Sequence, residues 1–479
     1  MRHIKLIDLL NTSMVAYARH LTITFISVLA LVSTSFAQMT IKYEVTIPNE
    51  LGSLNDWSVD DEGNVFVAGW IGMDNYSLWK IDTSGEIAWQ RNLYGPTPLF
   101  CRDIRIVVGH DGNPVVAYTD CEYIYNYPDP LIITSSYLAS VKYDSDGNVV
   151  WGPMSIPQEL SCGGGMTDMA VDEDGYVYIA AAGGDNMTVC SKVHVISPEG
   201  SLQTCQLNNF SIRSLLATSS SAFVTGKDLN TVYCQDPGGP LEEWYNWEWR
   251  MLLIKVDQSG SCVTTFGPWD DHQCDINQCE NAVYSQTIAG VAAQADPYGS
   301  IAVPIGVSDK CIEQGIQREL QYISRFDADG SQIDIFEADI ENLNLLLVDN
   351  SDNIYVPVER DYISYIDKLS PEGSVLWEVP GGLGGSVLDV DGYLYGPIGT
   401  SIRCLNPNDG STEWECPVSP FGQSIYIDGI QIDDEKRIYV FHHDSHNTFP
   451  YGVSVYESSK KLTILDGSED NDPIAEQDV

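Results

Sequence analysis

One histidine cluster has residue types that could bind a metal ion. It occupies His442-His-Asp-Ser-His446 and follows a β-branched and aromatic stretch. Neighbouring residues of a strand point to opposite faces, so only His443, Asp444 and His446 could converge on one ion. Two imidazoles and a carboxylate suit zinc, but this spacing matches no established zinc motif. We predict a solvated loop here, with a zinc site as the alternative.

Four turns of the form Asp-x-Asp-Gly bring carboxylates close together, and they begin at Asp144, Asp172, Asp327 and Asp389. None is followed by the distal glutamate of an EF-hand loop, and the same residues are favoured in ordinary tight turns. We therefore predict turn formers and no cofactor, with calcium binding as the alternative.

Three aromatic or acidic segments have the residue types of a binding surface. The richest is Trp244-Tyr-Asn-Trp-Glu-Trp249. Exposed indoles beside acidic and amide groups could stack on sugar rings or anchor a protein. In the alternative, Trp247 and Trp249 alternate along a strand and fill its core, and the tyrosines extend another strand. The predicted ligand-binding residues are Tyr123, Tyr125, Tyr127, Trp244, Tyr245, Trp269, Asp270 and His272.

Composition and charge limit the possible partners. The 479 residues are 43% hydrophobic and contain 24 Lys+Arg against 68 Asp+Glu, for a formal net charge of −44. Such a surface repels phosphate backbones and anionic headgroups, so nucleic acid and membrane surfaces are disfavoured. The many glycines and tyrosines, with 19% charged residues, are typical of a β-rich globular protein.

The N-terminal residues predict export. Basic residues precede the apolar run Leu21 to Val32, which ends in Ser35-Phe36-Ala37. This pattern predicts a signal peptide over residues 1–37 and a secreted protein, extracellular or periplasmic, with no membrane insertion. A retained N-terminal anchor helix is the alternative. All 12 cysteines lie beyond Ala37, which favours disulfides in an exported chain.

A repeated hairpin decides the fold class. Asp82-Thr-Ser-Gly85 is followed by Trp89, and the same spacing leads to Trp151, Trp377 and Trp414. The Asp or Ser bonds forward to the turn backbone and the glycine takes a positive φ. A second signal, a turn followed by a short β-branched strand, precedes each hairpin. Its eight copies are at 61–67, 110–116, 172–179, 217–224, 296–303, 349–356, 389–395 and 433–440.

Eight copies of a four-stranded unit predict an all-β fold, a single eight-bladed β-propeller of antiparallel blades over residues 38–465. The copy at Ala217 to Val224 is degenerate, so a seven-bladed ring is the alternative. Thr40 to Ile47 has the alternation of an outer strand and is predicted to complete the last blade, in competition with Lys461 to Leu465. Residues 466–479 are predicted to form an acidic disordered tail.

Two disulfides are predicted from the hairpins. Cys404 and Cys416 flank one turn, and Cys190 and Cys205 flank another, at nearly opposite positions on antiparallel strands. Cross-strand neighbours lie near the separation that a disulfide requires. The other pairings stay open.

The segments Leu78 to Trp89 and Arg403 to Cys416 resemble the tryptophan-docking repeat of quinoprotein-like (PQQ-like) propellers. The resemblance implies an interblade structural role for Trp89, Trp151, Trp377 and Trp414. The family includes quinone-dependent dehydrogenases and periplasmic assembly lipoproteins. This sequence lacks the adjacent cysteines of the former, and Gln38 stands where the latter have a lipidated cysteine.

The leading hypothesis for function is a secreted, monomeric binding protein that presents long aromatic loops on one face to a protein or glycan ligand. Tight turns leave the opposite ends of the strands free to carry variable loops, which is where a rigid scaffold places function. One alternative is a secreted enzyme in the propeller channel, either a quinone-dependent oxidoreductase or a polysaccharide-active enzyme. Another is a passive surface or matrix protein.

Overall fold

The computed structural model describes residues 38–46, 51–71, 75–93, 103–124, 132–158, 165–184, 189–234, 244–266, 283–287, 301–311, 316–340, 346–418, 425–433, 435–444, 452–459, 461–463 and 476–478. These residues form strands and turns, with no helix among them. Accordingly, no described segment is a helix long and apolar enough to cross a membrane.

Residues 38–266 contribute seventeen of the described strands. They are β1 (Gln38–Thr46), β2 (Leu51–Val59), β3 (Val65–Ile71), β4 (Asn75–Ile81), β5 (Ile87–Leu93), β6 (Ile104–Val108), β7 (Pro114–Ile124), β8 (Ile132–Tyr143), β9 (Val149–Gln158), β10 (Gly165–Val171), β11 (Val177–Gly184), β12 (Val189–Ile196), β13 (Leu202–Asn208), β14 (Phe210–Ala217), β15 (Ser221–Cys234), β16 (Trp244–Asp257) and β17 (Cys262–Phe266).

Residues 283–478 contribute the remaining seventeen described strands. They are β18 (Val283–Thr287), β19 (Ile301–Cys311), β20 (Ile316–Phe326), β21 (Gln332–Glu337), β22 (Leu347–Val348), β23 (Ile354–Arg360), β24 (Ile363–Leu369), β25 (Val375–Pro380), β26 (Val387–Leu388), β27 (Leu394–Ile398), β28 (Ser401–Leu405), β29 (Thr412–Pro417), β30 (Ile425–Ile432), β31 (Ile438–Asp444), β32 (Gly452–Ser459), β33 (Lys461–Thr463) and β34 (Glu476–Asp478).

Apart from β33 and β34, the described strands fall into eight groups of four, here called sheets 1 to 8. Sheets 1 to 7 are β2–β5, β6–β9, β10–β13, β14–β17, β18–β21, β22–β25 and β26–β29. Sheet 8 is β30–β32 with β1 as its outer strand. Sheets 4 and 5 are joined by a short parallel pairing of β16 with β18. The predicted completion of the last sheet by the N-terminal strand is confirmed.

Local sequence explains why the strands reverse where they do. In the turn between β4 and β5, the Gly85 N–H donates to the Asp82 carbonyl at 2.9 Å, and the Asp82 Oδ1 accepts the Ser84 N–H at 2.9 Å. Gly85 has φ +87°, a conformation that disfavours a side chain. The same backbone pattern recurs at the other predicted hairpins, for example at Asp144 and Ser370.

Consecutive sheets contact one another around a closed circuit. The last contact joins sheet 8 to sheet 1, where the Arg437 guanidinium donates to the Glu62 carbonyl at 2.8 Å and Trp57 stacks on Phe441 at 5.5 Å. The buried hydrophobic clusters lie between adjacent sheets; one combines Phe66 of sheet 1 with Tyr118 of sheet 2. Meandering sheets that pack side by side and close on themselves are the arrangement of a β-propeller.

The chain divides into two compact units. One comprises Ile41–Tyr456 and contains the packed sheets. The other comprises Met1–Thr40 and Glu457–Val479, in which β33 pairs antiparallel with β34. Glu476–Asp478 thus forms a strand inside the segment predicted as a disordered tail, because its backbone groups are paired with Lys461–Thr463. The predicted signal peptide and residues 466–475 lie outside the described residues.

Both disulfide predictions are wrong. Cys205 is bonded to Cys262, with their Cα atoms 5.9 Å apart, and so not to Cys190. This bond joins β13 of sheet 3 to β17 of sheet 4, outer strands that lie side by side. Cys404 and Cys416 are free thiols, because the register sets Cys404 opposite Trp414 and Cys416 opposite Ile402. Burial raises the pKa of Cys404 to about 12, which keeps it a protonated, unreactive thiol.

Removing the Cys205–Cys262 bond should lower the free energy of unfolding by about 2–4 kcal/mol, because the bond closes a loop with a sequence separation of 57 residues. Urea denaturation of the Cys205→Ala/Cys262→Ala double variant tests this. Cys416→Ala, which removes a free thiol, is the control and should change the midpoint little. Non-reducing peptide maps that link Cys190 to Cys205 would contradict the pairing.

Candidate functional site

A two-stranded ribbon extends from sheet 4 at the end opposite its Asp turn. β15 and β16 stay paired from Ser221↔Asp257 to Cys234↔Trp244. The flanking strands stop earlier: β14 pairs with β15 only as far as Asp228, and β17 pairs with β16 only as far as Leu253. The six pairs from Leu229↔Trp249 to Cys234↔Trp244 therefore lie beyond the four-stranded body of the sheet. At ~3.4 Å per residue they add roughly 20 Å of hairpin. We call residues 229–234 and 244–249 the sheet-4 ribbon.

The predicted aromatic segment coincides with this ribbon. All of Trp244 to Trp249 lies on its β16 side, and Trp244 forms the last pair before the tip. The third-strand segment in the body of sheet 4 is instead occupied by buried Leu253, Ile254 and Val256. The backbone of Glu248 and Trp249 also pairs with β18 of sheet 5. The ribbon is thus an addition that the body of sheet 4 does not need for its own pairing.

A shorter extension occurs in sheet 2. Tyr123 pairs with Ile133 near the end of the β7–β8 hairpin, beyond the last residues that β6 and β9 pair with. By contrast, sheet 6 turns tightly at Asp361 and Tyr362, directly after the Arg360↔Ile363 pair. The other predicted ligand-binding residues, Tyr125, Tyr127, Trp269, Asp270 and His272, lie outside the described residues.

A cavity of about 540 Å³ opens at the same end of sheet 5. Its described lining is Leu320, Gln321, Glu337, Ala338 and Asp339. The Gln321 side-chain carbonyl accepts the Ile340 N–H at 2.6 Å, which fixes the amide in place. The lining combines two carboxylates and an amide, groups that bind hydroxyl or amino donors.

A second polar group lies on the first two strands of sheet 8. The His443 Nδ1 and the Asp428 Oδ2 are 2.7 Å apart. Because a carboxylate can only accept, Nδ1–H donates. The Tyr426 ring lies 5.3 Å from the His443 ring, with 59% of Tyr426 exposed. Asp428 is the extra residue of a bulge between Ile427↔His442 and Gly429↔Phe441. Bulges of this kind re-aim a side chain.

The histidine cluster takes part in this group in a different way from the one predicted. His443 is bonded back to Asp428 on the preceding strand. His442 is buried, and burial lowers its pKa. His446 and the side chain of Asp444 lie outside the described residues. Among the residues that the structure describes, no group of three metal-ligating side chains comes together.

Two half-buried carboxylates on first strands join neighbouring sheets. Asp56 of sheet 1 accepts the Ile106 N–H of sheet 2 at 2.9 Å, and Asp168 of sheet 3 accepts the Leu215 N–H of sheet 4 at 3.0 Å. Burial raises the pKa of both carboxyls, and these backbone bonds and the charge of Arg105 oppose the rise. Their bonds to the next sheet make them structural groups.

The Asp-x-Asp-Gly carboxylates are likewise used inside their own turns. Asp144 Oδ1 accepts the Asp146 and Asn148 N–H groups at 3.0 and 2.7 Å, while Oδ2 accepts the Asn148 side-chain amide at 3.0 Å. Asp389 bonds its turn in the same way and also accepts the Tyr395 hydroxyl at 3.1 Å. These contacts are those of turn formers.

Three of the repeated tryptophans bond to the next sheet. The indole N–H donates to a carbonyl of the following hairpin turn, from Trp89 to Ser145 at 2.9 Å, from Trp151 to Pro198 at 3.1 Å, and from Trp377 to Pro407 at 3.0 Å. In the turn that Trp377 contacts, a Cβ on Gly410 would lie 2.9 Å from the Trp377 ring, so this position requires glycine. The fourth, Trp414, lies against Tyr395 at 5.9 Å.

A repeated cation was missed in the sequence. Two residues before each of several hairpin turns, a Lys or Arg reaches a carbonyl of the next sheet: Lys80 to Ser145, Lys255 to Ala328, Arg325 to Pro371 and Lys368 to Pro407. Three of them, Lys80, Arg325 and Lys368, are buried. The signal was available as a basic residue, an apolar residue and then Asp or Ser, as in Lys80-Ile-Asp82.

No protein-family model and no curated protein matches the sequence. Solved structures that match this chain include the Dos1 propeller, at 10% identity and a TM-score of 0.43, covering 88% of this chain and 95% of that one. Another is the polysaccharide lyase Uly1, at 11% identity and a TM-score of 0.44, covering 88% of this chain and 94% of that one. Nothing about function follows from similarities this remote.

Proposed function

We propose that this protein is a secreted binding protein that holds a protein or glycan ligand at the end of the sheets opposite the Asp turns. The observation that carries the proposal is the sheet-4 ribbon, six residue pairs that extend beyond the body of the sheet and include Trp244 to Trp249. The body of sheet 4 does not need this aromatic hairpin for its own pairing, and the described pairing of the hairpin with sheet 5 covers only Glu248 and Trp249. Ordering the rest of it is costly unless it contacts a ligand.

The surroundings of the ribbon are consistent with this role. The acid- and amide-lined cavity of sheet 5 lies at the same end. Carboxylates there can accept hydrogen bonds from hydroxyl or amino groups, and the net charge of −44 favours neutral or basic ligands over anionic ones.

The scaffold in this proposal is an eight-bladed propeller of the quinoprotein-like type. The degenerate fourth repeat supports eight rather than seven blades, because it has its own four strands and Thr218 replaces the turn Asp, donating its hydroxyl to the Ser221 carbonyl at 3.0 Å. The tryptophan bonds between sheets support the repeat type. The Cys205–Cys262 bond supports an oxidising compartment.

Shortening the ribbon should abolish ligand binding without unfolding the protein. Residues 231–247 can be replaced by Asn-Gly, which joins the paired Asn230 and Glu248 through a two-residue hairpin and keeps the pairing of Glu248 and Trp249 with β18. The wild type is first screened on arrays of glycans and secreted proteins. We expect the shortened chain to lose the ligands so found, while its melting temperature stays within a few degrees.

Trp244→Ala tests the same surface with one side chain and should weaken binding by about 1–3 kcal/mol, roughly 5- to 150-fold. Tyr362→Ala, at the tight turn of sheet 6, is the matched aromatic control. Array ligands that bind the shortened chain and the wild type equally would refute the proposal, as would Trp244→Ala melting far below the wild type.

A further inference from the structure

Tyr426, Asp428 and His443 form a group on sheet 8. This group lies on a different sheet from the ribbon. Its aromatic ring, carboxylate and imidazole come from two neighbouring strands, and Asp428 is aimed by the bulge in β30. Exposed fractions are 59% for Tyr426 and, for the side chains of Asp428 and His443, 35% and 23%. A ligand can therefore reach all three residues.

Packing of the core does not account for the positions of Tyr426 and Asp428. A tyrosine that only filled space would be buried, as Tyr439 is on the next strand at 1% exposure. Tyr426 instead presents its ring outward beside the His443–Asp428 pair. The bulge also leaves Asp428 without a partner residue across the β30–β31 pair.

The chemistry selects a class of ligand. An exposed aromatic face beside a fixed hydrogen-bond acceptor suits a sugar ring, whose C–H face stacks on the aromatic ring while a hydroxyl donates to the carboxylate. A cation would contact the same carboxylate, so its binding is one of the outcomes that the experiment below distinguishes. An anion would be repelled by the carboxylate and by the net charge.

We propose that Tyr426, Asp428 and His443 form a binding subsite for a neutral carbohydrate. Tyr426 stacks on the sugar ring, Asp428 accepts a hydroxyl hydrogen bond, and His443 is a positioning residue that orients Asp428. The inference narrows the ligand of the proposed function from a protein or glycan to a neutral carbohydrate. It rests on the proposed function in one respect, that ligands bind at the end of the sheets opposite the Asp turns. It does not depend on any residue of the ribbon.

Isothermal titration calorimetry tests the subsite directly. The probes are neutral hexasaccharides of glucose, mannose, galactose or xylose, with hexalysine and a hexagalacturonate as charged comparisons. At least one neutral hexasaccharide should bind the wild type. Tyr426→Ala should weaken it about 10-fold or more, Tyr426→Phe should retain most of the affinity, and Asp428→Asn should weaken it. Tyr362→Ala, which alters a 97% exposed tyrosine of sheet 6, should leave it unchanged.

The outcomes separate the two proposals. Binding that survives ribbon shortening but fails in Tyr426→Ala supports the subsite even if the ribbon proposal is wrong. The subsite is overturned if no neutral hexasaccharide binds, if Tyr426→Ala binds as the wild type does, or if Tyr362→Ala loses as much affinity. Preferred, salt-sensitive binding of hexalysine would also overturn the carbohydrate assignment, because charge would then replace stacking.

Discussion

Replacing Trp377 with alanine is expected to lower the free energy of unfolding by about 3–5 kcal/mol. The indole is 8% exposed, packs edge-on against Tyr355 at 5.6 Å, and donates its N–H to the Pro407 carbonyl of the next sheet. Truncation removes the packing of two sheets at once and leaves a cavity beside Gly410. Urea denaturation followed by circular dichroism measures the loss.

Trp377→Phe is the matched control for that experiment. It retains an aromatic ring against Tyr355 but removes the N–H that reaches Pro407. The loss should therefore be clearly smaller than for alanine, with about 0.5–1.5 kcal/mol assigned to the hydrogen bond. An alanine variant as stable as the wild type would show that the sheets do not depend on the indole for their contact.

Features set by a few adjacent residues could be predicted from the sequence. The hairpin turns follow from Asp or Ser with glycine three residues later, as at Asp82 and Gly85, because both requirements are local. The eight copies of the second signal, a turn followed by a short β-branched strand, likewise reveal the sheets, including the degenerate copy at 217–224. The outer strand β1 could be placed because an unpaired edge must be covered.

Contacts that depend on register or on a neighbouring sheet could not be predicted. Cys205 meets Cys262 only because outer strands of two sheets lie side by side, and spacing along the chain does not encode this. Cys404 and Cys416 flank a turn, yet the register sets Trp414 opposite Cys404. Sequence spacing alone cannot distinguish directly opposed residues from a diagonal pair.

The site was only partly visible for the same reason. The aromatic segment at Trp244 stood out by composition, but how far β15 and β16 stay paired beyond their neighbours depends on where β14 and β17 end. On sheet 8, the sequence indicated Asp444 and His446 as partners of His443 because they lie within three residues of it. The carboxylate that His443 contacts is Asp428, fifteen residues earlier, brought into reach by strand pairing and a bulge.

Lys368→Met should destabilise the protein by about 3–5 kcal/mol at pH 7 by leaving a buried carboxylate without its cation. The Lys368 Nζ lies 2.8 Å from the Asp349 Oδ2, and each side chain is 5% exposed. Burial alone would raise the pKa of Asp349, but hydrogen bonds from Lys368 and Asn353 and the charge of Lys368 together lower it. Removal of the lysine takes away two of the lowering causes and leaves burial, the largest single cause, opposed by the hydrogen bonds from Asn353.

The pH dependence of this variant is the more specific test. In the wild type, the lowered pKa of Asp349 stabilises the fold above the unfolded pKa of about 3.9, and this stability is lost as the pH falls through the folded value. In Lys368→Met we expect burial to raise the folded pKa of Asp349, so protonation in the folded state should recover stability as the pH falls towards about 4. The gap between the two proteins should thus be widest at pH 7 and narrow in acid.

Lys255 supplies the matched control, because it occupies the same position of the repeat in sheet 4. Its partner Asp329 is exposed, with side-chain exposures of 26% for Lys255 and 88% for Asp329. Solvent screens this pair, so Lys255→Met should cost about 1 kcal/mol or less from the lost ion pair and show little dependence on pH. Urea midpoints at pH 4, 5.5 and 7 compare the two variants. Equal losses, or a Lys368→Met deficit constant across that range, would mean that the lysine acts through its apolar stem and not through the charge of Asp349.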